Sequence, residues 1–228
     1  MLFRSSLAVA AIPILLIIAQ PDLGTVLIIA ASVVTMIAVS GARSRWVIGL
    51  LTVGVAGIYL AVSTGQVSDY QLKRLRSFVD PLADPQASGY QLRQARVTIG
   101  SGGFFGKGLF DGPQTNGRFV PEQHTDFIFT VTGEELGFLG SVIVLLLFLI
   151  ILMRACAIAR RTNDLFGKMV CIGVISWFSF QIFENVGMTM GLMPMTGVPL
   201  PLLSYGGSSM FATMIGIGLL QNVYQRSR

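Results

Sequence analysis

The sequence predicts an all-α fold, a polytopic transmembrane helical bundle with one long segment outside the lipid. Three observations carry that expectation. Hydrophobic residues make up 53% of the 228 positions and charged residues 12%, with a mean hydropathy of +0.71, a composition that belongs to membrane chains. Apolar stretches lie near 5–19, 23–40, 46–62, 136–153, 169–190 and 203–222. They have the length, or nearly the length, that a helix needs to cross a hydrocarbon core about 30 Å thick. Basic residues, finally, gather in the short loops on one side.

The first stretch, MLFRSSLAVAAIPILLIIAQ, opens like a signal peptide with Arg4 ahead of an apolar run. It lacks a small-x-small cleavage site, so it is read as a span. The stretches 23–40 and 46–62 follow with Arg43 and Arg45 between them. Residues 136–153 hold fourteen Leu, Ile, Val or Phe, each worth roughly −0.3 to −0.6 kcal/mol of insertion, which makes this an anchor that inserts unaided.

The stretch 169–190 is different. It has nine such residues and carries Glu184 with Gln181 and Asn185; a charge near a span's centre costs roughly 2.5–3.5 kcal/mol. The three polar residues stand at i, i+3 and i+4 and share a helix face, which must look into protein or a wet cavity. Two readings stay open, a hydrogen-bond network between helices and a substrate-lining surface. The last stretch repeats Ser208, Ala212 and Gly216 every four residues, a seam of small residues that lets helices approach closely.

Counting six spans puts Arg4, Arg43, Arg45, Arg154, Arg160, Arg161, Lys168, Arg226 and Arg228 on one side with a single acid, Asp164. That side is expected to be cytoplasmic, both termini included. The segment of about 63–133 then lies outside, its seven basic residues nearly balanced by acids. The formal charge of +5 is a topology signal and gives a nucleic-acid partner no support. Cys156 and Cys171 suggest no disulfide framework and are expected as reduced thiols.

The outer segment is too long and too rich in interleaved apolar residues to be a plain linker. SGYQLRQARVTIG is expected as a short interfacial helix, with Arg93 and Arg96 on one face and Tyr90, Val97 and Ile99 toward the membrane; solvated arginines are the plainer alternative. GSGGFFGKGLF fails as a phosphate loop, because Ser101 stands where the first glycine belongs and Gly108 follows Lys107 where a hydroxyl is needed. It reads instead as a flexible glycine turn dipping toward the membrane. TGEE fits a capping box, Thr132 capping the next span and Glu135 reaching back, which gives Glu134 and Glu135 structural roles.

PEQHTDFIF concentrates Glu122, His124 and Asp126 ahead of an aromatic run. Activating a hydroxyl for attack needs a base, and a carboxylate is a common one. A helical turn would bring Glu122 and Asp126 to one face, where each perturbs the other. In the plainer reading Asp126 caps the run FIF and His124 is an exposed loop residue.

PEQHTDFIFTVTGEELGFLG, with QPDLGT, LKRLRSFVDPLADPQASGYQ, GFFGKGLF and MPMTGVPLPLLSYGGSS, resembles the shape, elongation, division and sporulation family of bacterial peptidoglycan polymerases, on its elongation, RodA-like branch. The resemblance runs from about Leu7 to the C-terminus. It implies polymerisation of lipid II, an undecaprenyl-pyrophosphate-linked disaccharide peptide, outside the plasma membrane beside a class B penicillin-binding protein. It places the family's essential aspartate at Asp126, as base or as part of a divalent-cation site for magnesium or manganese. It makes Lys73, Arg74, Arg93 and Arg96 candidates for the lipid pyrophosphate, with Glu122, His124, Gln181 and Glu184 as further substrate contacts. Family members have ten spans, and this chain corresponds to the part from the fifth onward. A lipid-linked precursor transporter and a non-catalytic scaffold for the crosslinking enzyme are the alternatives; the first would use Glu184 and Gln181 as its route.

Overall fold

The computed structural model describes residues 11–18, 20, 22–64, 69–80 and 88–227. Among these, every regular element is a helix: α1 (11–18), α2 (Leu23–Val39), α3 (Ser44–Ser63), α4 (Asp69–Val79), α5 (Ser88–Ser101), α6 (Pro113–Asn116), α7 (Ile128–Glu135), α8 (Gly137–Arg161), α9 (Leu165–Met190) and α10 (Gly207–Arg226). Residues 5–10 and 19 of the first expected span, Arg4, Arg228 and the stretch 81–87 lie outside the described residues.

The chain divides into two compact units. The first comprises Met1–Leu72, Ala155–Phe180 and Ile217–Arg228. Within it Asp22 caps α2, accepting from the Thr25 amide at 3.1 Å and the Thr25 hydroxyl at 2.6 Å, so part of QPDLGT is a helix start. The Ser176 hydroxyl donates to Thr35 Oγ1 at 3.0 Å, and a side chain at Gly173 would begin 3.2 Å from the Met36 sulfur. Small residues therefore bring this stretch of α9 close to α2. Cys156 and Cys171 are free thiols.

The second unit comprises Lys73–Arg154 and Gln181–Gly216. α8 and α9, at 25 and 26 residues, are the two helices among the described residues that are long and apolar enough to cross a membrane by length and composition. α8 would reach about 37 Å at 1.5 Å per residue, and it runs on to Arg161, past the expected end. Leu146, Leu147, Leu149 and Ile150 are exposed along it, as suits a helix bathed in lipid.

The long segment between α3 and α8 holds regular structure of its own. It folds into α4 to α6 and enters α7, around two cores. Leu92 and Ala95 of α5 pack with Val120, Phe127 and Met195; Phe129 of α7 packs with Phe148 of α8 and Leu200, with Ile99 of α5 against them. Each fully buried Leu, Val, Phe or Met among them contributes about 1.5–3 kcal/mol on burial. The expected interfacial helix is therefore α5 itself, but Ile99 faces this core; Val97, Arg93 and Arg96 are the exposed positions.

The glycine turn is a locked corner, where a flexible one was expected. The amides of Lys107 and Gly108 donate to the carbonyls of Glu134 and Glu135 at 2.9 and 3.1 Å, and those of Phe138 and Leu139 to Gly103 and Phe104 at 2.9 and 3.1 Å. A Cβ at Gly102 would collide with the Gly133 carbonyl, and one at Gly106, where φ is +85°, with the Glu135 carbonyl.

The capping box is likewise corrected. Thr132 lies inside α7, its hydroxyl donating to Ile128 O at 3.3 Å, and the helix ends rather than begins at Glu135. Glu134 still has a structural role, by another route. Its carboxylate, fully buried, accepts from the amides of Gln114 and Thr115 at 2.9 and 2.7 Å, the Thr115 hydroxyl at 2.6 Å and the Ser101 hydroxyl at 3.1 Å. It thus satisfies the free amides at the start of α6 from a distance in sequence. Burial alone would raise this carboxyl, but the Thr115 and Ser101 hydroxyls and the two amides hold it below its ordinary value.

Candidate active site at the Asp126 turn

Residues 121–127 form consecutive turns rather than a helical turn. Glu122 sits at φ +55°, and its carbonyl accepts from the amides of Thr125 and Phe127, both at 3.2 Å. The expected stacking of Glu122 and Asp126 on one helix face is therefore overturned: the left-handed conformation at Glu122 breaks the helical path before it begins. Glu122 is exposed, its Oε2 accepting from the Thr125 hydroxyl at 3.2 Å.

What holds the turn is the irregular stretch 191–206 after α9. The Asn185 Nδ2 donates to Asp126 O and to Val198 O, each at 2.7 Å. The Ser204 hydroxyl donates to Thr125 O at 2.6 Å and accepts from the Leu200 amide at 2.7 Å, while the Tyr205 amide donates to His124 O at 2.8 Å. Arg74 Nη1 on α4 donates to Met195 O at 3.3 Å, and Arg96 Nη2 on α5 to Gly191 O at 3.1 Å. Non-helical backbone is stable where protein groups satisfy its hydrogen bonds, and side chains here take much of that role.

The carboxylate of Asp126 meets this stretch at Gly197, whose φ is +76°. A Cβ there would stand 3.2 Å from Asp126 Oδ2 and 3.6 Å from Arg74 Nη1. A glycine thus leaves room for an acid and a guanidinium to converge on one point of the backbone. Asp126 is partly exposed, and its main-chain carbonyl is held by Asn185.

Of the expected substrate contacts, Asp126 and Arg74 meet around 195–198. Glu184, 1% exposed, reaches the same stretch, where its Oε1 accepts from the Thr196 hydroxyl at 2.9 Å. Its Oε2, the Asn185 Oδ1 and the Gln181 Oε1 have no hydrogen-bond partner among the described residues. For Asn185 the network reading is the one found, since its amide bridges two segments. His124 is exposed and lines an open groove of about 590 Å³ with Ile128, Leu203, Tyr205 and Met210. Asp126 is not among that groove's lining residues. Lys73 and Arg93 are exposed on α4 and α5, and Arg96 is turned to Gly191.

Sequence reasoning missed Gly197, Ser204 and Thr196 as parts of the site. A glycine and hydroxyls inside MPMTGVPLPLLS were the available signal, but nothing in the chain order says that they meet PEQHTD. Among the described residues no three His, Cys, Asp or Glu side chains converge as a metal cage.

Comparison with known proteins gives this site a context. The family model for the cell cycle proteins FtsW, RodA and SpoVE matches residues 2–228. The chain is 41% identical over 212 residues to the peptidoglycan glycosyltransferase MrdB of Escherichia coli K12, covering 93% of this chain and 57% of that protein. It is 40% identical over 226 residues to the stage V sporulation protein E of Bacillus subtilis 168, covering 99% and 61%. A solved peptidoglycan synthase complex, studied for the coordination of polymerization and crosslinking, contains a chain similar at a TM-score of 0.78 and 32% identity, covering 96% of this chain and 62% of that one. The rod shape determining protein RodA of Thermus thermophilus is similar at a TM-score of 0.59 and 30% identity, covering 96% and 56%. The chain thus spans about three fifths of the length of these relatives.

Proposed function

The chain belongs to the FtsW, RodA and SpoVE family, and from that premise we propose that it carries the acid of a peptidoglycan glycosyltransferase that polymerises lipid II at the outer face of the bacterial plasma membrane, for elongation and cell shape. The observation that carries the reading is the tethering of Asp126, its carbonyl bound by Asn185 and its carboxylate beside Gly197 and Arg74. A base is effective when its position is fixed before the substrate arrives.

In this reaction the Asp126 carboxylate takes the proton of a sugar 4-hydroxyl. The freed oxygen attacks the anomeric carbon of a second lipid-linked disaccharide, the bond from that carbon to the pyrophosphate oxygen breaks, and undecaprenyl pyrophosphate leaves with inversion. Arg74, beside the acid, supplies positive charge for the phosphates. In the alternative role for Asp126, its carboxylate would hold a divalent ion, magnesium or manganese, together with the substrate's own pyrophosphate, the usual mode for magnesium, and the ion would supply neutralising charge for the leaving group. A class B penicillin-binding protein is the proposed partner, on the likeness to the synthase complex. The transporter alternative needs Glu184 and Gln181 along a route, and both are buried.

The test is Asp126→Asn in the full-length protein with labelled lipid II. Polymerisation should fall by about 10²- to 10⁴-fold with the melting temperature unchanged. Near-normal glycan chains would overturn the assignment.

A further inference from the structure

The locked corner at 102–108 presents its largest side chains outward. Phe105 is 79% exposed and Phe110 81%, with Phe104 and Leu109 also open. The backbone beneath them is fixed by four hydrogen bonds to the end of α7 and the start of α8, and Phe110 is held at φ +65°. This is a rigid presentation of apolar groups, so the aromatic rings cannot fold back into the protein by relaxing the turn. In water such a patch is a liability.

Its neighbour says what covers it. The Phe104 ring lies 5.7 Å from that of Phe138, which is exposed in the first turn of α8, and the Phe138 amide is bonded to Gly103 O. The patch is continuous with the lipid-facing surface of a membrane helix at the level where that helix enters. Lys107 is exposed within it, and a lysine among aromatic residues suits the phosphate layer, where its stem lies along apolar surface and its ammonium reaches the headgroups. Asp111 is the one acid in this stretch.

We propose that residues 104–110 form a monotopic membrane anchor, seating Phe104, Phe105, Leu109 and Phe110 in the interfacial region of the leaflet at the α8 entrance and fixing the height of α5 to α7 above the lipid. The occupant of the patch is phospholipid. The proposal concerns depth alone and stands apart from the reaction assigned to Asp126.

The test is a spin label at Phe105→Cys in the full-length protein, in a background with Cys156→Ser and Cys171→Ala, in vesicles of phosphatidylethanolamine and phosphatidylglycerol. Leu146→Cys serves as the lipid reference and Arg160→Cys as the water reference. The label at 105 should favour oxygen over a water-soluble nickel chelate, at a depth between the two references and above Leu146. Nickel accessibility equal to that at Arg160 would overturn the proposal, because the loop would then stand in water. Inaccessibility to both quenchers would overturn it as well, because protein would then cover the patch. Phe105 gives up only its exposed edge-on ring contact with Phe104, so the substitution leaves the hydrogen-bonded corner intact; Phe110→Cys gives an independent second reading of depth.

Discussion

Asn185 binds the main chain of Asp126: its Nδ2 donates to the Asp126 carbonyl at 2.7 Å and, with its other hydrogen, to the Val198 carbonyl at the same distance. Both hydrogens are spent on carbonyls, so the orientation of the amide is fixed by chemistry. Two segments far apart in sequence are joined by one side chain on a membrane helix.

Replacing Asn185 by Asp sets a carboxylate oxygen against two carbonyls. The expected outcome is a stability loss of about 2–3 kcal/mol and a turnover loss approaching 10²-fold from a misplaced acid. Thermal unfolding and lipid II polymerisation on the same full-length sample measure the two. A variant melting like the parent with full turnover would show that the bridge is dispensable.

Gly197→Ala tests the space around the acid. A left-handed alanine costs about 1–2 kcal/mol, and its methyl group would press on Asp126 Oδ2 and rest at ordinary contact distance from Arg74 Nη1. Activity should therefore fall further than stability, with the loss in turnover exceeding what the change in melting temperature explains. Equal losses in both would make Gly197 a backbone requirement only.

Glu134 gives the second unit a defined response to acid. Its folded carboxyl lies below the ordinary 4.5, so the stability it contributes is fully present above that value and is lost as pH falls through the folded value. Glu134→Gln should destabilise the protein at neutral pH, by about 3 kcal/mol for four compromised buried hydrogen bonds. The gap between parent and variant should narrow as the pH drops below about 4.5. Melts recorded from pH 7 to pH 3 would refute this if the gap stayed constant.

Gly106→Ala should break the corner. The new methyl group meets the Glu135 carbonyl in a conformation that alanine already disfavours, an expected cost of about 3 kcal/mol or more. Limited proteolysis is the readout: cleavage within residues 102–110 should rise in the variant relative to the parent, and equal cleavage would show that the corner tolerates a side chain.

How much of this was legible in the sequence varies by element. α8 could be read directly, because fourteen large apolar side chains leave lipid as the only solvent. The polar face of α9 was legible as a problem to be solved, but not its solution, since no pattern along the chain says that Asn185 would find the carbonyls of residues 126 and 198. Asp126 itself stood out through the motif around it rather than through spacing. The capping box was a local match defeated by context: Thr132 and Glu135 have the right separation, yet Phe129 commits α7 to the core with Phe148 and Leu200, and the helix is under way before Thr132 is reached. α5 was legible as a helix, whereas α4 and α6 escaped the reading of the long segment because their stability comes from packing partners far away in sequence.

The suspension of 191–206 from side chains has an evolutionary consequence. A helix shares its backbone bonds among neighbours and resists piecemeal change, whereas a strap hung from Arg74, Arg96, Asn185 and Ser204 can be retuned one hook at a time. Descendants of such a scaffold can shift the Asp126 turn by fractions of an ångström while every helix keeps its place.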